Sequence, residues 1–409
     1  MLPEDYKKTK AIVIIGTLDT KGDAILFLKD RIEKRGHRAI VMDTGILGEP
    51  VFEAEISRHV VAEAAGASIE ELVAGDRGKA ISAMSEGAMK AAQKLYQDGK
   101  LDGVISVGGG QGTIIATKAM RALPFGIPKL MVSTKGSGDI RFYVGTKDIT
   151  MMHSVVDIAG LPQMLRNILA NAAGAICGMV EEAKEQSLDL EKKTVGITMF
   201  GVTTPCVMAV KSILEERGYE VLIFHAVGTG GMAMEELIEN GTISGVIDVT
   251  TTELADELCG GISSAGPDRL EAAGNKGIPQ VIVPGAVDMV NFAEKGTVPE
   301  RFSHRLFYQH NPLATLMRTN TQENAELGRI IAQKANLAKG PTIIAIPLLG
   351  FSAYDTKGGI FYDPEADRAF LNALKEHISP NIKVIEINAH INDQAFAESL
   401  ASLFFEISL

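Results

Sequence analysis

Short apolar runs alternate with amphipathic stretches along most of the chain, and the alternation sets the first expectations. Ala11 to Ile15 is a strand-length, β-branched run without a polar residue, as in a parallel strand buried on both faces. Asp23 to Arg35 spaces its apolar residues at helical intervals and stops at Gly36; Ala39 to Met42 is a second strand. A polar, Ala-rich excursion from Glu49 to Gly78 carries weaker helical pattern over 53–65 and 68–74. Lys79 to Gln97 is a helix with Ala, Met and Leu on one face. Gly103 to Val107 is a strand, Thr113 to Leu123 a helix and Gly126 to Ser133 another strand. Asp148 to Glu185 is long and largely apolar. Its small residues, from Ala170 to Gly178, suit close helix packing, either in the interior or at a subunit interface. Lys184 to Lys193 is charged and reads as a linker.

The pattern then restarts. Strands are expected at Val195–Phe200, Glu220–His225, Gly245–Val249, Gln280–Val283, Thr342–Pro347 and Ile382–Ile387. Helices are expected at 207–217, 232–240, 321–338, 364–377 and 393–405, and Pro299 to Arg318 reads as irregular and polar. Three matches recur in the same order: Lys29–Gly36 with Lys211–Gly218, Gly103–Ile105 with Gly245–Ile247, and Gly126–Pro128 with Gly277–Pro279. The expectation is an α/β protein of two Rossmann-like domains, 1–185 and 186–409. Their sheets should be mainly parallel, and an internal duplication would relate them.

Composition fits this reading. A chain of 409 residues is too long for one simple core. Hydrophobic residues make up 46% and charged ones 22%, as in ordinary globular proteins. The net charge of −11 argues against broad nucleic-acid or anionic-membrane binding. No run of about 18 apolar residues could span a bilayer, and the charged Met1–Lys10 does not resemble a signal peptide. Cys177, Cys206 and Cys259 are too few and too widely spaced for a disulfide framework or a zinc knuckle, so a reducing cytoplasm is expected.

Candidate chemistry gathers at strand ends, where ligands sit in such folds. GGGQGT (Gly108, Gly109, Gly110, Gln111, Gly112, Thr113) joins a buried strand to a helix. Bare backbone and a helix N-terminus together make an anion site, here expected to cradle the phosphates of a nucleotide. The spacing is neither a Walker loop nor a dinucleotide fingerprint, and a tight turn without a ligand is the plain alternative. Two further strand-end loops offer hydroxyls, amides and charges: Thr17, Asp19, Thr20 and Lys21 in one, Ser133, Thr134, Lys135 and Gly136 in the other. In the second half TTTELAD (250–256) stands in place of GGGQGT, so the same ligand is not expected there. The polar candidates there are His225, Asp248, Glu253, Asp256, Asp288, His310, Tyr354, Asp355, Lys357 and His390. No HExxH, paired CxxC or GxSxG is present.

Taken together, GTLDTKG (16–22), SVGGGQGT (106–113), STKGSGD (133–139), VPGAVDMVNF (283–292), LLGFSAYDTKGG (348–359) and NAHINDQAFA (388–397) resemble the Tm-1-like ATP-binding proteins over essentially the whole chain. The resemblance implies two α/β subdomains, ATP in the first, and a homo-oligomer, expected as a dimer. On that basis Lys135 or Lys21 would neutralise phosphate, each being otherwise a solvated charge. Asp19 would hold Mg²⁺ or else cap a helix. Asp43 and Thr44 would accept ribose hydroxyls or simply form a turn. His225, Asp288 and His390 could form an acid–base set if the fold joined them. The function expected is an ATP-binding protein acting on a small metabolite in the cleft between the domains. The alternatives are a non-catalytic nucleotide-binding regulator or oligomerisation protein, and an isomerase or lyase with its site in the second domain.

Overall fold

The computed structural model describes residues 9–183 and 193–408. The chain falls into two units, residues 1–187 and 188–409. Most of the charged segment read as a linker, 184–192, lies outside the described residues. No helix among the described residues is long and apolar enough to cross a membrane.

The first unit runs β1 (Ala11–Gly16), α1 (Leu18–Glu33), β2 (Arg38–Asp43), α2 (Arg58–Ala64), α3 (Ile69–Ala74), α4 (Arg77–Gln97), β3 (Gly103–Gly108), α5 (Gly110–Arg121), β4 (Lys129–Ser133), α6 (Arg141–Val144), β5 (Thr150–His153) and α7 (Gln163–Glu182). Its five strands are all parallel, in the order β2-β1-β3-β4-β5. Both faces of the sheet are covered, which is why these strands read as unbroken apolar runs. Ile12, Ile14, Val41 and Ile105 pack with Leu28 of α1 and Leu169 of α7; Val13, Ile15, Ile40 and Val104 pack with Met84 of α4 and Met120 of α5.

The second unit runs β6 (Thr194–Met199), α8 (Thr204–Glu216), β7 (Glu220–His225), α9 (Thr229–Glu239), β8 (Gly245–Thr250), α10 (Thr252–Cys259), α11 (Ala272–Lys276), β9 (Gln280–Gly285), β10 (Met289–Phe292), β11 (Phe307–Asn311), β12 (Ala314–Arg318), α12 (Thr321–Asn336), β13 (Thr342–Pro347), α13 (Pro364–His377), β14 (Lys383–Ile387) and α14 (Gln394–Ile407). The main sheet is parallel, ordered β14-β13-β9-β8-β6-β7. Both units are thus Rossmann-like α/β structures. The order β2-β1-β3-β4 recurs as β7-β6-β8-β9. A shared detail accompanies it. A Cβ on Gly103, the first residue of β3, would lie 2.5 Å from Val180 Cγ1 of α7; one on Gly245, the first residue of β8, would lie 2.6 Å from Phe404 Cζ of α14. Each unit's last helix rests against the same bare position.

Three local expectations change. Residues 299–318, read as irregular, supply β11 and β12, which pair with β10 in an antiparallel sheet ordered β10-β12-β11. Arg318 looks like a loop residue but is buried: its Nε donates to the Phe361 carbonyl and its Nη2 to Asp367 at 2.8 Å. The stretch 148–185 opens with the short strand β5 before α7 begins. α1 starts at Leu18 and α5 at Gly110, both earlier than the apolar spacing predicts. The supposed loop residues Asp19, Thr20, Lys21, Gln111 and Gly112 therefore lie in the first turns of helices.

Candidate functional site

In a parallel sheet ordered like the first unit's, the connections from β1 and β3 leave to opposite faces. Their helices splay apart and open a crevice at the carboxyl ends of the two strands. α1 packs on one face of the sheet and α5 on the other. A cavity of about 480 Å³ occupies this point. Thr17, Asp19, Thr20 and Lys21 line it from the start of α1, Thr44 from the end of β2, Gly108 to Gly112 from the β3–α5 junction, and Lys135 from the loop after β4. Ile46, Leu47, Ile81, Met84 and Ile115 form an apolar part of the wall.

The glycines differ in what the protein itself asks of them. At Gly108 a Cβ would press on Gly112 Cα at 3.1 Å, so packing alone accounts for it. Gly109, Gly110 and Gly112 have no positive φ. A Cβ on Gly112 would meet nothing within 4 Å, one on Gly109 only Thr134 Oγ1 at 3.9 Å, and one on Gly110 only Lys135 Cε at 3.5 Å. Neither backbone geometry nor packing requires glycine at these three positions. α5 also starts without a side-chain cap. The first amides of a helix have no partner within it, so those of Gly110, Gln111 and Gly112 are available to a ligand.

The charged groups are unequally free. Asp19 Oδ2 accepts from the Leu47 amide at 2.7 Å and the Gly48 amide at 3.3 Å, while its Oδ1 is buried without a partner. Lys21 Nζ donates to the Ile158 carbonyl. Lys135 makes no side-chain hydrogen bond or ion pair among the described residues. Arg77, from the start of α4, also lines the cavity, and its Nη2 donates to Gln111 Oε1 at 2.9 Å.

Five of the expected residues do not line the cavity but build its edge. Asp43 is buried, and its Oδ1 accepts from the amides of Leu18 at 3.0 Å and Gly45 at 2.9 Å. Burial raises its pKa above the usual carboxylate value. Thr113 Oγ1 donates to the Gly109 carbonyl at 2.7 Å and lies 2.6 Å from Ser133 Oγ, which accepts from the Lys135 amide. The Thr134 amide donates to Gly108 O. Gly136 is bare because a Cβ there would lie 2.9 Å from His153 Cα. Among the described residues no group of three or more His, Cys, Asp or Glu side chains could hold a metal.

In the second unit Ser352 connects Asp288 and His390. Ser352 Oγ donates to Asp288 Oδ2 at 2.8 Å, and His390 Nε2 donates to the Ser352 carbonyl at 2.9 Å. His390 Nδ1 accepts from the Asn392 amide at 3.1 Å, so both ring nitrogens are engaged in holding loops. His225 ends β7, at the opposite edge of the sheet from β14, and its ring lies 5.5 Å from that of Phe200. Asp288 also belongs to a second cluster. With Asp355 and Asp367 it surrounds Arg318, three buried or half-buried carboxyls about one guanidinium. Burial and the Asp355 charge push Asp288 up to about 7 and Asp367 up to about 8. Burial likewise pushes Asp256 up to about 7, against the hydrogen bonds from Asn291 and Ser263 that favour its ionised form.

At the β6/β8 junction the second unit fills its crevice from within. Arg269 is 1% exposed and pairs with Asp248 at 2.6 Å, Glu253 at 2.7 Å and Glu235 at 3.1 Å. Asp248 Oδ1 also accepts from Thr198 Oγ1 at 2.6 Å, and Glu253 Oε1 accepts from the amides of Gly228 at 2.7 Å and Gly231 at 3.1 Å. Cys177, Cys206 and Cys259 are buried and form no disulfide.

Residues 10–185 match the N-terminal domain, and residues 192–408 the C-terminal domain, of the Uncharacterised protein family (UPF0261). The chain belongs to the UPF0261 family. A UPF0261 protein of Clostridium tetani is 51% identical over 394 residues, covering 96% of this chain and 97% of its own. The ToMV resistance protein Tm-1(GCR237) of Solanum lycopersicum is 39% identical over 425 residues, covering 97% of this chain and 56% of the tomato protein. The Tm-1-like resemblance read from the loops is therefore a family relationship. Among solved structures, a UDP-N-acetylglucosamine 2-epimerase from Rickettsia bellii aligns at 12% identity and TM-score 0.24 over 67% of this chain and 78% of that one. That likeness is too weak to bear on fold or function.

Proposed function

We propose that this UPF0261 protein binds ATP in the crevice between the carboxyl ends of β1 and β3. The observation that carries the proposal is the run Gly109, Gly110 and Gly112. These are three glycines with no internal need to be glycine, set at the uncapped start of a helix and facing a cavity. Phosphates would take the amides of Gly110, Gln111 and Gly112, with the helix dipole adding to their attraction. Lys135 is the cation free to follow the phosphate charge, and Arg77 stands beside Gln111 as a second. The apolar wall of Ile46, Leu47, Ile81, Met84 and Ile115 suits the adenine ring, and Thr44 is placed for the ribose.

Mg²⁺ fits the same arrangement. Mg²⁺ takes few protein ligands and completes its shell with phosphate oxygens and water. Asp19 Oδ1, buried and without a partner, is the oxygen that would serve it. Bound there, the ion would neutralise the phosphate oxygens. Among the described residues of the first unit, no nucleophile or general base faces the glycine run at a position that the geometry singles out. The reading is therefore a nucleotide-binding function, with turnover resting on a second substrate.

Calorimetric titration of the purified protein with ATP and Mg²⁺, followed by an ADP-release assay on the same sample, tests it. Micromolar binding of one equivalent is expected, without ADP release in the absence of a second substrate. No binding would make the glycine run a plain turn.

A further inference from the structure

A second cavity, of about 410 Å³, lies at the carboxyl ends of β13 and β14 in the second unit. Its volume falls in the range of small-molecule sites, and its position is where parallel sheets place ligands. Ile346, Phe351 and Leu371 make an apolar wall, while Lys357 and Arg368 bring two positive charges to it. Neither has a hydrogen-bonding or ion-pair partner among the described residues. That is unusual here. Arg269, Arg305, Arg318 and Arg329 pair with carboxylates, Arg301 donates to the Cys259 carbonyl, and Arg217 lies over the Phe405 ring. Among the described residues, Arg368 is the one arginine of this unit without such a partner. Two unpaired like charges facing one concavity raise each other's energy, and an anion between them removes that penalty.

We propose that this cavity binds a small organic anion, its phosphoryl or carboxylate group held by Lys357 and Arg368 and its carbon skeleton lying on Ile346, Phe351 and Leu371. Asp367 also lines the cavity. Its carboxyl is taken up by Arg318 Nη2 at 2.8 Å, and burial with the Asp355 charge pushes it up to about 8, so it adds little net negative charge against the ligand. The first unit's cavity holds phosphates through backbone amides. This one would hold an anion through side chains, and so would take a different and smaller molecule. The inference is independent of the nucleotide reading.

The test uses the full chain, with and without excess ATP and Mg²⁺, titrated separately with inorganic phosphate and with malonate at constant ionic strength. One of the two is expected to bind at millimolar concentration. Lys357→Ala and Arg368→Ala should each weaken it about tenfold, as expected when one partner of a charge-assisted contact is removed. Lys375→Ala, whose lysine pairs with Glu386 and does not line the cavity, should leave the affinity unchanged. Both cavity residues are exposed, so their loss should not disturb folding. Tighter phosphate identifies a phosphoryl group and tighter malonate a carboxylate. Either result supports the site. Failure of both anions to bind, or equal binding by the double variant Lys357→Ala/Arg368→Ala, would overturn it.

Discussion

The β1/β3 crevice and the β6/β8 crevice are the same place in two sheets of shared strand order, yet one is open and the other is filled. Gln111 and Glu253 each stand eight residues beyond the first glycine of their strand (111 − 103 = 253 − 245 = 8). In the second unit that position carries a carboxylate, which takes the amides of Gly228 and Gly231 at the start of the neighbouring helix α9 and is itself held by Arg269. Gly231 must be glycine, because a Cβ there would overlap Glu253 and Arg269. In the first unit the position carries a neutral amide, the helix amides have no internal anion, and Gly112 borders empty space. The start of a helix attracts negative charge wherever it is found. One unit sets its own carboxylate at such a start, that of α9; the other leaves the start of α5 open, and on the proposed reading a ligand takes it.

Breaking the filled crevice should have the largest effect. Arg269→Leu leaves Asp248, Glu253 and Glu235 buried around a lost cation, which should cost the second unit about 3–5 kcal/mol. Chemical denaturation should show that unit's transition moved to lower denaturant. ATP titration of the folded variant should be unchanged, since the first cavity is lined only by residues of the first unit. A loss below about 1 kcal/mol would mean that Arg269 is not holding the carboxylates as described.

Filling the open crevice is the converse change. Gly110→Asp puts a carboxylate at the start of α5, 3.5 Å from Lys135 Cε at its Cβ, and so builds in the first unit what Glu253 and Arg269 make in the second. ATP affinity should fall about 100-fold, equivalent to roughly 2.7 kcal/mol. Thermal stability should hold or rise slightly, because an acidic residue suits a helix N-terminus. Unchanged affinity would remove the phosphates from this loop.

The units should also differ in pH response, a smaller effect. Asp288, Asp256 and Asp367 hold their protons to about 7, 7 and 8 in the folded state, against an ordinary aspartate value of 3.8. The folded second unit therefore binds more protons than the unfolded chain between these limits. The stability that these three groups contribute is fullest below about pH 4 and is lost as pH rises through 7 to 8. Asp288→Asn should flatten the slope, since the remaining groups facing that site are Arg318, Asp355 and Asp367. Unfolding midpoints of the unsubstituted protein and this variant at pH 5 and pH 8 check this; an unchanged slope would mean that Asp288 is ionised throughout.

How much of this is legible without coordinates depends on what holds each element. Buried parallel strands such as Ala11–Gly16 announce themselves because both faces must be apolar. β12 does not, because Arg318 is buried through pairing with Asp367 rather than through an apolar side chain. The glycine run is visible as a break between strand and helix, and Thr17 to Lys21 as a polar strand end, although Leu18 onward already belongs to α1. Whether a glycine serves packing, as at Gly108 and Gly136, or serves nothing internal, as at Gly112, is a property of neighbours distant in sequence. Arg77 reaches the cavity from the 49–78 excursion, which no local pattern ties to the glycines. Arg269 sits in the short run Pro267–Leu270, with partners 16, 21 and 34 residues away.

The most direct test of the contrast is the Gly112→Ala variant, measured for both thermal stability and ATP affinity. Alanine in place of glycine within a helix should stabilise the fold by roughly 0.5–1 kcal/mol if no neighbour objects. The account predicts higher stability together with at least about a tenfold weaker ATP affinity, the added methyl group occupying phosphate space. Higher stability with unaltered affinity, or lost stability, would contradict the claim that this glycine is kept for a ligand.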